Sequence, residues 1–212
     1  MNTRTARWTG MWAAPLRRLR PASLAAGLLL AMAAAPSLAD TAAPERSTAT
    51  PPAVVRTLLG PARLAGEGPM RWFGLRIYDA RLWTSRDSID PAQPFSSSFA
   101  LELRYARTLS GAAIASASHD EIVRLGLGSP AQRQAWLAAM QALFPDVRAG
   151  DRLTGVHRPG EGVAFYRDEQ LLGRIEDPGF GPAFFAIWLD PRTVAPALRT
   201  ALLGLDGEAA RR

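Results

Sequence analysis

The chain has 212 residues, with 25 basic and 19 acidic side chains and a formal net charge of +6 at pH 7. All basic residues are arginine and there is no cysteine, so disulfides and a cysteine nucleophile are excluded and stability must come from a conventional core. No arginine cluster or stripe stands out, so the sequence does not support a nucleic-acid-binding surface.

Residues 1–39 have the pattern of a secretory signal peptide. Five arginines precede an apolar run at residues 22–35, and Ser37-Leu38-Ala39 supplies small residues for cleavage. The run is too short to span a bilayer comfortably, so we predict a periplasmic or secreted protein with no stable membrane span after cleavage. An uncleaved amino-terminal anchor is the alternative. Cleavage removes five basic residues and no acidic ones, leaving 20 against 19, or about +1.

The rest of the chain is predicted to hold one domain. Residues 40–52 are rich in Thr, Ala, Pro and Ser and are predicted to be a disordered linker. Residues 53–205 have the size at which a single domain buries roughly 70% of its surface. Residues 206–212 are predicted to be a disordered tail.

The order of the predicted elements is strands, helices, strands, helices. Strands are predicted at residues 62–65, 71–83 and 99–105, with a turn at residues 66–69. Helices follow at residues 111–125 and, after the capping box Ser129-Pro130-Ala131-Gln132, up to Pro145. Further elements are expected as strands at 152–157, 162–166 and 171–175 and helices at 182–189 and 194–203. This order predicts an α+β fold with a largely antiparallel sheet.

Motifs for metal or covalent chemistry are thinly represented. His119 and His157 have no metal-ligand spacing, and they are interpreted as surface residues on a helix and at a strand end. No serine lies in GxSxG, and a haem with one axial histidine has no attachment motif to support it. The carboxylate pairs Asp120-Glu121 and Glu176-Asp177 are interpreted as a solvated helix tip and a turn. We therefore predict no catalytic residue, metal site or cofactor.

Aromatic side chains are plentiful, and one arginine stands out among them. Trp72, Phe73 and Tyr78 belong to a predicted strand that is apolar on both faces, and Arg71 precedes them. Aromatic residues line apolar ligand cavities and equally fill ordinary cores. Arg71 is therefore either an edge-strand charge in water or the anion contact of a pocket roofed by Trp72 and Phe73.

Several segments resemble the chalcone isomerase family. GEGPMR at 66–71, followed by IYDARLW at 77–83, resembles the family's glycine turn with its arginine and the strand after it. Four later segments look like the bacterial exported branch of the family, namely FALELRY at 99–105, FPDVRAGD at 144–151, GRIEDP at 173–178 and FFAIWL at 184–189. The resemblance runs from Val54 to Gly204, which is nearly all of the predicted folded part.

The resemblance implies an open-faced β-sandwich, in which a large antiparallel sheet has helices packed on one side and a ligand cleft between the two layers. Plant members cyclise chalcones, whereas sister members bind fatty acids. Arg71 matches the family arginine that faces the ligand. The strand threonine of the enzymes falls on Phe73, and the helix at 118–125 lacks their tyrosine and asparagine. A retained arginine without these partners favours binding over catalysis.

The predicted function is therefore the binding of a small apolar or amphipathic molecule, fatty-acid-like or aromatic, by an exported, non-catalytic protein. Arg71 would supply the charge-assisted contact, with Trp72, Phe73 and Tyr78 as candidate walls. One alternative is an isomerase of the intramolecular-lyase type with altered catalytic residues, involving Tyr105 or His119. The other is a structural or partner-binding protein whose own side chains fill the cleft.

Overall fold

The computed structural model describes residues 49–205. The predicted signal peptide (1–39), most of the predicted linker (40–52) and the predicted tail (206–212) lie outside the described residues. The described elements are α1 (Ala53–Leu59), β1 (Arg63–Trp72), β2 (Leu75–Thr84), β3 (Phe99–Tyr105), α2 (Gly111–Leu125), α3 (Pro130–Leu143), β4 (Arg152–Arg158), β5 (Gly162–Arg167), β6 (Gln170–Ile175), α4 (Phe180–Leu189) and α5 (Pro196–Leu202).

The six strands form one antiparallel sheet in sequential order, β1-β2-β3-β4-β5-β6. Each strand pairs with the next along the chain, although α2 and α3 lie between β3 and β4 in sequence. Helices α2, α3, α4 and α5 pack on one face of the sheet and enclose the larger apolar core. The predicted α+β, open-faced architecture is confirmed.

Sequence patterns located most elements correctly because their local signals were strong. Ser129 caps α3 as predicted, since its side chain accepts from the backbone N–H of Gln132 while the Gln132 side chain accepts from the N–H of Ser129. Ser110 caps α2 in a similar way through Ala113. Helix α1 was not predicted, and it has no side-chain cap that could have marked its start.

Helix α1 packs on the opposite face of the sheet. Its buried residues Val54 and Val55 meet Trp83, Val156 and Tyr166 in a second, smaller apolar cluster. The indole N–H of Trp83 donates to Oε2 of the buried Glu102 at 3.0 Å. This face therefore carries a local core under α1, separate from the larger one.

The predicted turn at residues 66–69 is wrong. These residues lie inside β1, and the hairpin turns instead at Phe73 and Gly74, which have φ values of 46° and 77°. Position 66 is a glycine because α5 packs directly on the backbone of the strand there. A Cβ at Gly66 would lie 1.9 Å from the carbonyl oxygen of Ala201, so this glycine serves close packing and not a turn.

His157 is not the surface residue that the sequence suggested. It is 1% exposed, and its Nε2 lies 3.0 Å from the carbonyl oxygen of Phe95. The rings of Phe99 and Phe185 contact it at centroid distances of 4.9 and 5.8 Å. Desolvation lowers the pKa of His157, and its hydrogen bond to Phe95 opposes that effect.

We expect Gly66→Ala to destabilise the domain by about 1–3 kcal/mol, because the new methyl group must displace backbone atoms of α5. Gly68→Ala is the matched control. Its Cβ would meet Leu198 Cδ1 at 3.0 Å and Ala201 Cβ at 3.3 Å. The flexible Leu198 side chain can rotate away, and the Ala201 contact at 3.3 Å is much longer than the closest contact at Gly66, which is 1.9 Å. Urea unfolding of both variants measures the difference. Equal losses would contradict the close packing of α5 on β1.

We expect the domain to lose stability as the pH falls from about 7 to about 5. The pKa of His157 is lower in the folded chain than in the unfolded chain, so the unfolded chain binds a proton more readily. The free energy of unfolding is therefore highest above the ordinary histidine pKa of about 6.5 and declines below it. Melting temperatures across this range measure the effect. His157→Phe should flatten the profile while His119→Gln should keep it, and an unchanged slope in His157→Phe would disprove the assignment.

Candidate functional site

Three of the four predicted site residues lie together at the end of the β1–β2 hairpin. Arg71, Trp72 and Phe73 belong to residues 71–76, which we call the hairpin tip. Arg71 is exposed and pairs with Arg76 across the hairpin. The rings of Trp72 and Phe73 meet edge to face at 5.2 Å, and Phe73 is 81% exposed. The tip therefore presents aromatic and basic groups to solvent.

Tyr78, the fourth predicted residue, lies within the sheet on the face covered by the helices. It is flanked by Met70 on β1 and Tyr105 on β3, its partners in the strand register. The rings of Tyr78 and Tyr105 meet at 5.8 Å. Arg71 directly follows Met70, so it lies one residue closer to the turn of the hairpin than the pair formed by Met70 and Tyr78.

Helix α4 contributes a hydrogen bond to Tyr78. The indole Nε1–H of Trp188 donates to the hydroxyl oxygen of Tyr78 at 2.9 Å. Burial raises the pKa of Tyr78 and the charge of Glu121 raises it further, while the bond from Trp188 acts in the opposite direction. Burial also raises the pKa of Tyr105, with a further contribution from Tyr78. Both phenols therefore remain protonated at neutral pH.

Helix α2 places a buried carboxylate beside the phenols. The side chain of Glu121 is 1% exposed, and its Oε2 accepts from Arg124 Nε at 2.9 Å and from a terminal nitrogen of Arg124 at 2.7 Å. Arg124 also donates to the carbonyl oxygen of Arg192, in the loop after α4. Oε1 of Glu121 has no hydrogen-bond partner among the described residues.

We call Tyr78, Tyr105, Glu121 and Trp188 the phenol cluster. The hydroxyl oxygen of Tyr78 accepts the hydrogen bond from the indole N–H of Trp188, and the O–H of Tyr78 remains available as a donor. Glu121 Oε1 offers an acceptor. A ligand that carries both an oxygen acceptor and a hydrogen-bond donor at one end would complement this set. An apolar pocket with a few converging polar groups is the usual form of a small-molecule site.

The sequence patterns did not reveal that Glu121 is buried. The pair Asp120-Glu121 was interpreted as a solvated helix tip, which is wrong for Glu121 because that side chain is buried against the sheet. A signal was available in the sequence. Residues 114, 118, 121 and 125 share one face of α2 by helical periodicity, and a glutamate among Ile114, Ser118 and Leu125 departs from the apolar pattern.

A shallow depression lies on the opposite face of the sheet, beside α1. It is lined by Leu58, Val156, Arg158, Glu161, Gly162, Ala164 and Arg174 and has a cavity volume of about 10 Å³. This is roughly the room that one water molecule needs, so the depression is far too small for a typical ligand. It also lies on the other side of the sheet from the phenol cluster.

Membrane-spanning helices and metal-binding clusters are both absent from residues 49–205. Within this range no helix combines the length and apolar character needed to cross a bilayer. The same range contains no group of three or more His, Cys, Asp or Glu side chains that could hold a metal ion.

We expect Arg124→Met to destabilise the domain, because it leaves the buried Glu121 carboxylate without its partner. Breaking a buried pair costs roughly 3–5 kcal/mol. Since the Arg124 side chain is 38% exposed, we expect about 2 kcal/mol after screening by solvent. Urea unfolding measures the loss. Adding Glu121→Gln should restore most of it, and purely additive losses would argue against the pair.

Comparison with known proteins places this architecture in a family. A sequence model described as chalcone isomerase-like matches residues 61–204. A protein of Haemophilus influenzae, described as uncharacterized, is 29% identical over 140 residues, which cover 66% of each chain. This chain therefore spans about two thirds of that relative.

The crystal structure of an Arabidopsis thaliana fatty-acid binding protein has the same fold. The TM-score is 0.53 at 11% identity, with 71% of this chain and 91% of that chain covered. At such low identity the likeness concerns the fold alone. The family match extends over more than half of the chain, and the six-stranded sheet with helices α2 to α5 on one face agrees with it. The chain belongs to the chalcone isomerase-like family.

Proposed function

We propose that this protein binds a small apolar or amphipathic molecule, fatty-acid-like or aromatic, between the sheet and helices α2 and α4, without catalysing a reaction. The observation that carries the proposal is the buried Glu121 Oε1, which has no hydrogen-bond partner among the described residues. Leaving a buried acceptor unsatisfied costs about 1–3 kcal/mol, and more for a charged group. A ligand that donates a hydrogen bond there removes this cost.

The phenols supply the complementary donors. Tyr78 and Tyr105 have raised pKa values because of burial, so each keeps an O–H through the neutral pH range. Such groups can hold a ligand oxygen but are poor acceptors of a proton from a substrate. A phenol or an alcohol at the end of an apolar body has the required acceptor and donor, and a carboxylic acid has them when it is bound in its protonated form.

The apolar body of the ligand would pack among the aromatic side chains of α4 and the sheet. Phe184 and Trp188 contact each other at 5.4 Å on α4, and Phe184 contacts Phe165 on β5 at 5.2 Å. The family assignment and the fold shared with a fatty-acid binding protein support a ligand of this kind. For this chain the ligand class is our proposal.

In this proposal Arg71 guides the ligand toward the phenol cluster. Its guanidinium makes no ion pair in the described part of the chain, and it follows Met70, the strand partner of Tyr78. It would attract the acidic end of a ligand, with Trp72 and Phe73 bordering the path. Export after removal of residues 1–39 is part of the same proposal.

Native mass spectrometry of the protein purified from a periplasmic extract tests these points together. We expect a bound small molecule in the parent and a five- to tenfold weaker occupancy in Tyr78→Phe and Glu121→Gln, roughly the effect of one lost hydrogen bond. Tyr166→Phe is the matched control, since Tyr166 is a buried tyrosine on the α1 face. The protein mass also reveals whether residues 1–39 have been removed.

Three outcomes would count against the proposal. Absence of any bound molecule, combined with failure to take up fatty or aromatic acids, would contradict ligand binding. Equal occupancy in Tyr78→Phe and Tyr166→Phe would move the ligand away from the phenol cluster. Turnover of a chalcone above the rate in buffer would favour the isomerase alternative.

A further inference from the structure

The hairpin tip exposes apolar side chains that do not serve the folded core. Phe73 is 81% exposed and Leu75 is 49% exposed, only two residues apart. Trp72 contacts Phe73 and pairs with Leu75 across the turn. The three side chains thus lie together at one end of the sheet. Single exposed apolar residues are ordinary, whereas a contiguous group marks an interaction surface.

The backbone at the tip makes Phe73 costly for the fold. Its φ of 46° lies in the left-handed region, where a bulky aromatic residue is a genuine outlier. Two-residue hairpin turns strongly prefer asparagine, aspartate or glycine at such positions. Because Phe73 is almost fully exposed, burial within the domain does not offset this strain. The aromatic ring is therefore better explained by a contact outside the domain.

Free arginines surround the same end of the sheet. Arg71 lies on the tip, Arg104 near the end of β3, and Arg107 just after β3. None of the three makes an ion pair or a side-chain hydrogen bond within residues 49–205. The nearest strand carboxylate, Asp79, is already held by Arg76, with Nε 2.8 Å from Oδ1. The excess positive charge at this end is therefore available to an anionic partner.

We propose that the hairpin tip docks on an anionic lipid bilayer. Phe73 and Leu75 would enter the boundary between head groups and acyl chains, with the half-buried Trp72 next to them, while Arg71, Arg104 and Arg107 contact the phosphates. Apolar and aromatic side chains combined with arginine are the usual composition of an interfacial membrane contact. The register β1–β2 and the Arg76–Asp79 pair hold the tip in its extended form.

Docking in this way has a consequence for the proposed function. Tyr78 lies on β2 next to the tip, opposite Met70. If the phenol cluster binds an amphipathic ligand, as proposed above, docking brings that cluster close to a membrane that can supply or receive it. The docking itself does not depend on the ligand.

Vesicle co-sedimentation tests the proposal, with the parent and all variants prepared with identical amino termini. We expect binding to vesicles of phosphatidylglycerol and phosphatidylcholine in equal amounts, and much weaker binding to phosphatidylcholine alone. Phe73→Asn should weaken binding about tenfold or more, because a phenylalanine leaves the interface. Asparagine tolerates positive φ, so this variant should fold at least as well as the parent.

Leu171→Asn is the matched control. Leu171 is 48% exposed but lies on β6, at the far edge of the sheet from the hairpin, and we expect parent-like binding. Arg71→Gln should weaken binding about fivefold on anionic vesicles and leave the weak binding to neutral vesicles unchanged. Thermal melting of each variant establishes that it is folded.

Fluorescence gives a second, independent readout. Vesicles with brominated acyl chains should quench tryptophan emission of the parent, and Trp72→Phe should remove the membrane-dependent quenching. Equal binding of Phe73→Asn and Leu171→Asn, or no preference of the parent for anionic vesicles, would overturn the proposal and leave a protein partner as the occupant of the tip. Loss of ligand occupancy with intact vesicle binding would overturn only the proposed function.

Discussion

The burial of helix α4 is the constraint on which the rest of this structure depends. Eight of its ten residues are buried, and it packs against β5, α2 and α5 at once. It has no side-chain cap at its amino terminus, so tertiary packing and not local capping stabilises it. Gly181 lies so close to His157 that an added Cβ would be 2.6 Å from Nδ1. This close approach desolvates the histidine and brings Trp188 over the sheet.

The polar groups of the phenol cluster follow from that placement. Trp188 reaches the hydroxyl of Tyr78 because α4 lies directly over the sheet, and Arg124 links α2 to the loop after α4. The low dielectric constant of the protein interior makes each buried polar group without a hydrogen-bond partner costly in free energy. The cluster is therefore a place where polar groups interrupt the apolar layer at a cost in stability, which makes it a candidate functional site.

The hairpin tip and the phenol cluster lie at the same end of the sheet, yet they differ in their exposure to water. Tyr105 is buried and Tyr78 is half-buried beneath the helix layer, whereas Phe73 and Arg71 are exposed to water. The β1–β2 hairpin joins the two, because Met70 pairs with Tyr78 only one residue before the tip begins. A bulge between Met70 and Arg71 marks the change from core strand to exposed tip.

The sequence by itself determined the elements with strong local chemistry, such as the capped helix α3 and the meander of β4, β5 and β6, and the family resemblance implied the open-faced sheet. It also named Arg71 and Tyr78 as residues worth attention. Only the tertiary structure decided that Gly66 packs under α5, that the hairpin turns at Phe73, and that Glu121 is buried. The reason is physical: a glycine permits both a turn and a close approach, and a charged residue on a helix is buried or solvated according to what packs against it.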